Sequence, residues 1–227
     1  HNAAMPLTAS RPLGPTDLLV TPLGLGGNVF GWTADRDQSF AVLDAYVEAG
    51  GNMIDTADAY SHWIAGNTGG DSERIIGEWL TTSGARDRVL IATKVAKLPS
   101  AAGLSPDNLR TACDASLSRL KTDHIDVYYA HEDDPSVPIA ETLGAFQELI
   151  EAGKVRYIAA SNFDPDRLRE SLDIAKAQDL PAYVATQNLY NLMDRSAYET
   201  GTGPVVAEYG HGSFPYYPIA RGLLTGK

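Results

Sequence analysis

The chain has 227 residues, 44% hydrophobic and 21% charged, which excludes disordered and fibrous classes and leaves ample length to bury a core. A formal charge of −11 argues against nucleic acid and anionic membranes as partners, since both demand basic patches. The single cysteine, Cys113, rules out an internal disulfide and suits a reducing, cytoplasmic setting, and its "TACDASL" context marks it as a small buried hydrophobe on a helix.

"HNAA" (1–4), before Met5, reads as a tag remnant, and no charged region followed by an apolar core suggests a secretory signal. No apolar run approaches the ~20 residues of a membrane span. Going along the chain, an apolar run "LLVTPLGLGG" (18–27) precedes a helix-like stretch at 35–50 that begins with a capping Asp and stops at Gly50. "NMIDT" (52–56) leads to a helix from Asp71 to Gly84, and "VLIATKV" (89–95) to one over 105–121, opened by Ser105 with Pro106 at its first position. "HIDVYYAH" (124–131) precedes a helix over 138–153, and "VRYIAASNF" (155–163) one over 164–178. "AYVATQNLY" (182–190), a weaker helical stretch over 196–210 broken by Gly201, Gly203 and Pro204, and "SFPYYPI" (213–219) complete the pattern.

Strands and helices alternating every ~30 to 35 residues mean βα units around a parallel sheet, either doubly wound or a (β/α)8 barrel. "GLGGNVFG" does not have the spacing of the dinucleotide fingerprint. Polar side chains sit at the C-terminal end of each run: Asp55, Lys94, His131, Ser161, Asn162, Gln187 and Tyr216. In a barrel those ends converge on one mouth, so the expected fold is an α/β (β/α)8 TIM barrel forming a single domain over 1–227. Seven strand-like runs leave the eighth strand and helix unaccounted for, so the chain is expected to be C-terminally incomplete.

A tyrosine near its free pKa of ~10 is a poor acid at neutral pH. A neighbouring ammonium would lower that value, a carboxylate would hold the ammonium, and a histidine would orient a carbonyl oxygen. Asp55, Tyr60, Lys94 and His131 supply those four parts, whereas Asp58 reads as turn chemistry. Trp32 and Trp63 are candidate walls of a substrate pocket, and no metal-ligand pattern stands out.

From Leu23 to Lys227 the sequence resembles the aldo-keto reductases, through "NMIDTADAY", "GGDSERIIGEWL", "VLIATKV", "LKTDHIDVYYAHEDDP", "GKVRYIAASNF", "TQNLYNLMDR" and "PYYPIARGLLTGK". The resemblance implies a tetrad of Asp55, Tyr60, Lys94 and His131, with Tyr60 as the general acid or base, Lys94 and Asp55 tuning it, and His131 orienting the carbonyl substrate. It also implies NADP(H) as cofactor, with NAD(H) an open alternative. Ser161, Asn162 and Gln187 match positions that hold the nicotinamide carboxamide, and Tyr216 matches the aromatic stacked on its ring. Gly26, Gly27 and Asn28 match a loop beside the ribose, Asp55 is counted with the cofactor site, and Arg221, Gly222 and Leu223 match a pyrophosphate channel. The expected function is reversible reduction of a small-molecule aldehyde or ketone. The alternatives are a cofactor-binding regulatory or structural subunit with little turnover, and a Schiff-base aldolase using Lys94.

Overall fold

The computed structural model describes residues 9–226, so the stretch 1–4 lies outside the described residues. Two short strands, β1 (Arg11–Pro12) and β2 (Leu19–Val20), form an antiparallel hairpin. Seven parallel strands follow: β3 (Leu25–Gly26), β4 (Met53–Asp55), β5 (Leu90–Val95), β6 (Ile125–Ala130), β7 (Val155–Ser161), β8 (Ala185–Gln187) and β9 (Gly212–Ser213). Between them run α1 (Arg36–Glu48), α2 (Asp71–Ser83), α3 (Pro106–Leu120), α4 (Ile139–Glu151), α5 (Pro165–Gln178) and α6 (Gly203–Tyr209). Each strand pairs with its neighbours in sequence order, so the sheet has no reversal of strand order and is not doubly wound.

The expected run 18–27 divides into β2 and β3, because Pro22 has no N–H to give a ladder and Thr21 turns its own N–H to Asn52 Oδ1 at 2.9 Å. The last run, expected over 213–219, pairs as strand only at its start, in β9, and then by single bonds from Phe214 N to Thr186 O and Tyr216 N to Asn188 O, since Pro215 and Pro218 have no N–H to extend the ladder. The weak helix over 196–210 resolves into a π-helical turn, Tyr198–Thr202, that passes directly into α6. Three helices start at side-chain caps: Asp35 and Gln38 bond each other's backbone N–H, Ser105 accepts from Asn108 N, and Asp164 accepts from Asp166 N, whereas α2 and α4 open on Gly70 and Pro138 without one.

Strand alternation sorts the side chains onto two faces. Ile91, Val95, Tyr128 and Ile158 pack outward beneath the helices. Met53, Ala92, Val127, Tyr129, Ala159 and Ala185 fill the inside, together with Leu13, Leu18 and Val20 of the hairpin. The hairpin is bound at the N-terminal end of the strands, through Asn52 Nδ2 to Leu19 O (2.7 Å) and Tyr157 OH to Asp17 Oδ1 (2.8 Å). That end is therefore closed, and the C-terminal strand ends are left as the open mouth. The sheet curls far enough that Phe214, just past β9, lies against Gly24, just before β3: a Cβ on Gly24 would come within 2.9 Å of its ring.

Helix α2 lies unusually close to the end of α3. A Cβ on Gly77 would sit 2.1 Å from Arg119 O, so only glycine allows this approach. Gly77→Ala is expected to destabilise the protein by about 1–3 kcal/mol in urea unfolding, through overpacking. It should leave β4 and β5, and so the Asp55–Lys94 contact, in place.

Candidate active site

At the open mouth, the side chain of Lys94 on β5 is fully buried, with 0% of its surface exposed. Such an ammonium must be completely satisfied. Its Nζ donates to Asp55, with Oδ1 at 2.7 Å and Oδ2 at 2.8 Å, to Thr56 O at 2.7 Å, and to Tyr60 Oη at 2.9 Å. Asp55 is the last residue of β4, and the turn after it returns Tyr60 so that its hydroxyl reaches Asp55 Oδ2 at 3.4 Å. Gln187, at the end of β8, donates Nε2 to Asp55 Oδ1 at 2.9 Å. Asp55 thus collects donors from three elements. Held as an ammonium by these oxygen acceptors, Lys94 would have to give up a proton and some of these bonds before it could act as a Schiff-base nucleophile.

Burial, and then the Asp55 carboxylate, push the Tyr60 phenol well above its ordinary value. This reverses the expectation that the ammonium would lower it: the hydroxyl is held firmly protonated, with Lys94 placed to receive the charge if the proton leaves. Burial lowers Lys94, and Asp55 opposes that by pairing and hydrogen bonding. His131, one residue past β6, is held well below its usual value by burial and by the Lys94 and Lys97 charges. Its ring is therefore neutral and lies edge-on to Tyr60, with centroids 5.9 Å apart. Its Nδ1 is buried without a partner among the described residues.

Beside this cluster the ends of β7 and β8 carry a row of amides and hydroxyls. Ser161 Oγ donates to Gln187 O at 2.7 Å, and Asn162 Nδ2 donates to His131 O at 2.9 Å and Ser161 Oγ at 3.0 Å. Asn162 takes a left-handed backbone (φ +58°), and its Oδ1 accepts from Tyr216 OH at 2.9 Å. This set pairs amide donors and acceptors with an aromatic face, which is the chemistry that recognises a planar carboxamide-bearing ring. A cleft of about 1520 Å³ runs past it, lined by Asp55, Tyr60, His131, Ser161, Asn162, Gln187 and Tyr216, and also by Gly26, Asn28 and Arg221. The cavity continues down to the hairpin, past Arg11–Gly14 and Val20–Gly24, so it is the donor set at the mouth, rather than the volume, that suits a carboxamide-bearing cofactor.

Trp32 and Trp63 pack edge to face across this cleft with centroids 5.7 Å apart, both about half exposed, and Trp63 also meets Tyr60. Gly27 and Leu223 lie outside the lining. Gly27 is pinned behind it, its N–H on Asp55 O at 2.7 Å and its carbonyl on Ser72 Oγ, while Leu223 is exposed to solvent. Arg221 reaches the cleft from a left-handed backbone, its guanidinium 4.7 Å from the Tyr217 ring centroid.

Three participants escaped sequence reading. The Thr56 carbonyl on Lys94 carries no side-chain signal, and the Gln187–Asp55 bond joins residues far apart in the chain. The third is Asp58. Its backbone does turn chemistry, with N–H to Lys94 O and carbonyl to Gly70 N, but both carboxyl oxygens of its side chain are buried with no hydrogen-bond partner among the described residues. Burial and the Glu73 charge raise it to about 7.

A curled parallel sheet with its polar constellation at the C-terminal strand ends defines a barrel-type site. The Aldo/keto reductase family profile matches residues 22–227. Protein tas of Escherichia coli is 35% identical over 238 residues, covering 93% of this chain and 68% of that protein. The uncharacterized oxidoreductase YrpG of Bacillus subtilis is 36% identical, over 95% of this chain and 68% of its own length. A putative voltage-gated potassium channel subunit beta of Schizosaccharomyces pombe is 34% identical, over 96% and 63%. The chain belongs to the aldo/keto reductase family of (β/α)8-barrel oxidoreductases, whose members generally use NADP(H), and it spans about two-thirds of the length of these relatives.

Unfolding should report the buried Asp58 directly. In the unfolded chain its proton leaves near pH ~3.9, and in the folded chain near about 7. Folding therefore retains a proton between those values, and stability falls as pH rises through that window. Asp58→Asn is expected to be more stable than wild type at pH 8 by at least about 1 kcal/mol, or roughly 2–4 °C in Tm. The gain should shrink toward pH 5 in thermal melts.

Proposed function

We infer that the protein reduces the carbonyl of an aldehyde or ketone to an alcohol, reversibly, with NADP(H). The observation that carries this reading is the protonated Tyr60 hydroxyl 2.9 Å from a fully buried ammonium at a cleft lined with carboxamide-type partners. When bound, the reduced nicotinamide supplies the hydride. Ser161, Asn162 and Gln187 would hold its carboxamide, Tyr216 its ring face, and Asn28 and Arg221 more distant parts of the dinucleotide.

Tyr60 donates its proton to the carbonyl oxygen as negative charge develops there. The phenolate so formed lies against the Lys94 ammonium, which needs no rearrangement to stabilise it. Asp55 keeps that ammonium charged and in place. His131, neutral and rigidly packed, donates a ring N–H to the same carbonyl oxygen and fixes its direction. Trp32 and Trp63 form an apolar wall that keeps water from the reacting carbon.

A second reading follows from the relative described as a potassium channel subunit beta. On that reading the chain binds the cofactor with little turnover and serves a partner. Quenching of NADPH fluorescence without carbonyl-dependent oxidation would favour it.

Tyr60→Phe is expected to lower kcat for carbonyl reduction by about 10²–10⁴-fold with cofactor affinity nearly unchanged, measured by steady-state assay and fluorescence titration. Retained activity in that variant would remove Tyr60 from the role of acid. Gln187→Ala is expected to weaken cofactor binding and also to lower kcat, because it takes one of the donors from Asp55.

A further inference from the structure

The buried charges behind the mouth do not balance. Lys94 pairs with Asp55 at 2.7 Å, and Arg119 on α3 pairs with Glu73 on α2 at 2.6 Å. Thr93 Oγ1 takes the remaining Glu73 oxygen at 2.6 Å. Asp58 is a third carboxyl in the same cluster, 1% exposed, and pairs with no cation among the described residues. It cannot easily swing outward. Its N–H is tied to Lys94 O at 3.2 Å and its carbonyl to Gly70 N at 2.6 Å, and Gly69 closes over it so tightly that a Cβ there would lie 2.8 Å from that carbonyl.

We propose that Asp58 is a proton-linked positioning residue: ionised, it holds the buried Lys94 ammonium charged beside Tyr60, and protonated, it withdraws that support. This rests on the reading of Lys94 and Tyr60 given above. The groups facing Asp58 come from every element around it. Lys94 on β5 and Arg119 on α3 favour its charge, while Glu73 on α2 opposes it. Tyr128 on β6 adds a hydroxyl that is itself buried and unpartnered. Arg74 on α2 is turned to Gly69 O, and Asp55 lies three residues back on the same turn.

The consequence follows from Coulomb's law in a site without water. Asp55 is the carboxylate in contact with Lys94, and a second buried carboxylate, whose own N–H sits on the Lys94 carbonyl, adds to the field that raises the pH at which Lys94 loses its proton. Burial places the Asp58 transition near neutrality, where its charge can respond to ordinary changes of pH. A phenolate at Tyr60 adds negative charge to the cluster and favours protonated Asp58, so the two groups titrate in opposition.

The test is NMR of the full chain carrying ¹³C-labelled aspartate and ¹⁵N-labelled lysine side chains. In wild type, the Asp58 Cγ resonance should titrate near pH ~7, and the Lys94 Nζ resonance should move in the same step. In Asp58→Asn that step disappears, and the Lys94 deprotonation midpoint falls by about one pH unit. The alkaline limb of kcat for carbonyl reduction should fall with it. A Lys94 midpoint unchanged in folded Asp58→Asn overturns the proposal. If that variant does not fold, a Lys94 resonance that stays flat through the Asp58 step of wild type overturns it equally. The resonances are read without turnover, so a chain that fails to reduce carbonyls would sink the enzymatic reading and leave this coupling standing or fallen by itself.

Discussion

The mouth of this sheet is organised by the need to satisfy one buried ammonium. Removing Lys94 from water carries an idealised cost of order 20 kcal/mol, several kcal/mol after relaxation, which only close counter-charge and well-placed acceptors offset. The Asp55 carboxylate, the Thr56 carbonyl and the Tyr60 hydroxyl supply them, from the end of β4 and the turn after it. That turn is held in its own right: Thr56 Oγ1 bonds Ser72 on α2, Ser72 bonds the Gly27 carbonyl, and Ser61 Oγ bonds the Phe30 carbonyl. The position of Tyr60 is therefore set by β4, β5, α2 and the loop after β3 together. A mutation that loosens any of them should reach the site through Lys94.

The same constraint explains why two carboxylates three residues apart behave differently. Asp55 faces into the mouth and is surrounded by donors, so it stays in place as the partner of Lys94. Asp58 faces the buried space between sheet and helices, where the available cation, Arg119, is already taken by Glu73. A carboxyl left without a partner in such a place holds a proton that a paired one would release. Stability at alkaline pH is lower for it, and the site gains a group that titrates near neutrality.

Much of this was legible in sequence because the determinants are local. Alternating apolar runs and capped helices gave the order of elements, and one polar residue at each strand end gave the mouth. The hairpin was not legible, since β1 is two residues long and β2 merged with β3 across Pro22. Nor was the direction of the Tyr60 shift, which is set first by burial of the hydroxyl and then by Asp55, with the Lys94 ammonium not reversing it. Asp58 looked like a turn residue because its backbone is one. Where its side chain went was decided by the approach of α2 and α3, which no spacing within the turn records. Gly27 and Leu223 matched motif positions but lie off the cleft, the first behind Ser72 and the second in solvent.

The central claim is that Tyr60 supplies the proton and a reduced nicotinamide the hydride for one carbonyl reduction at this mouth. The most direct measurement is a turnover with NADPH deuterated at the reactive C4 position, with mass spectrometry of the alcohol formed from an aldehyde. The account predicts one deuterium on the carbinol carbon of the product, transferred without exchange with solvent. An alcohol product without deuterium, or bound NADPH that stays reduced in the presence of a panel of aldehydes and ketones, would contradict it.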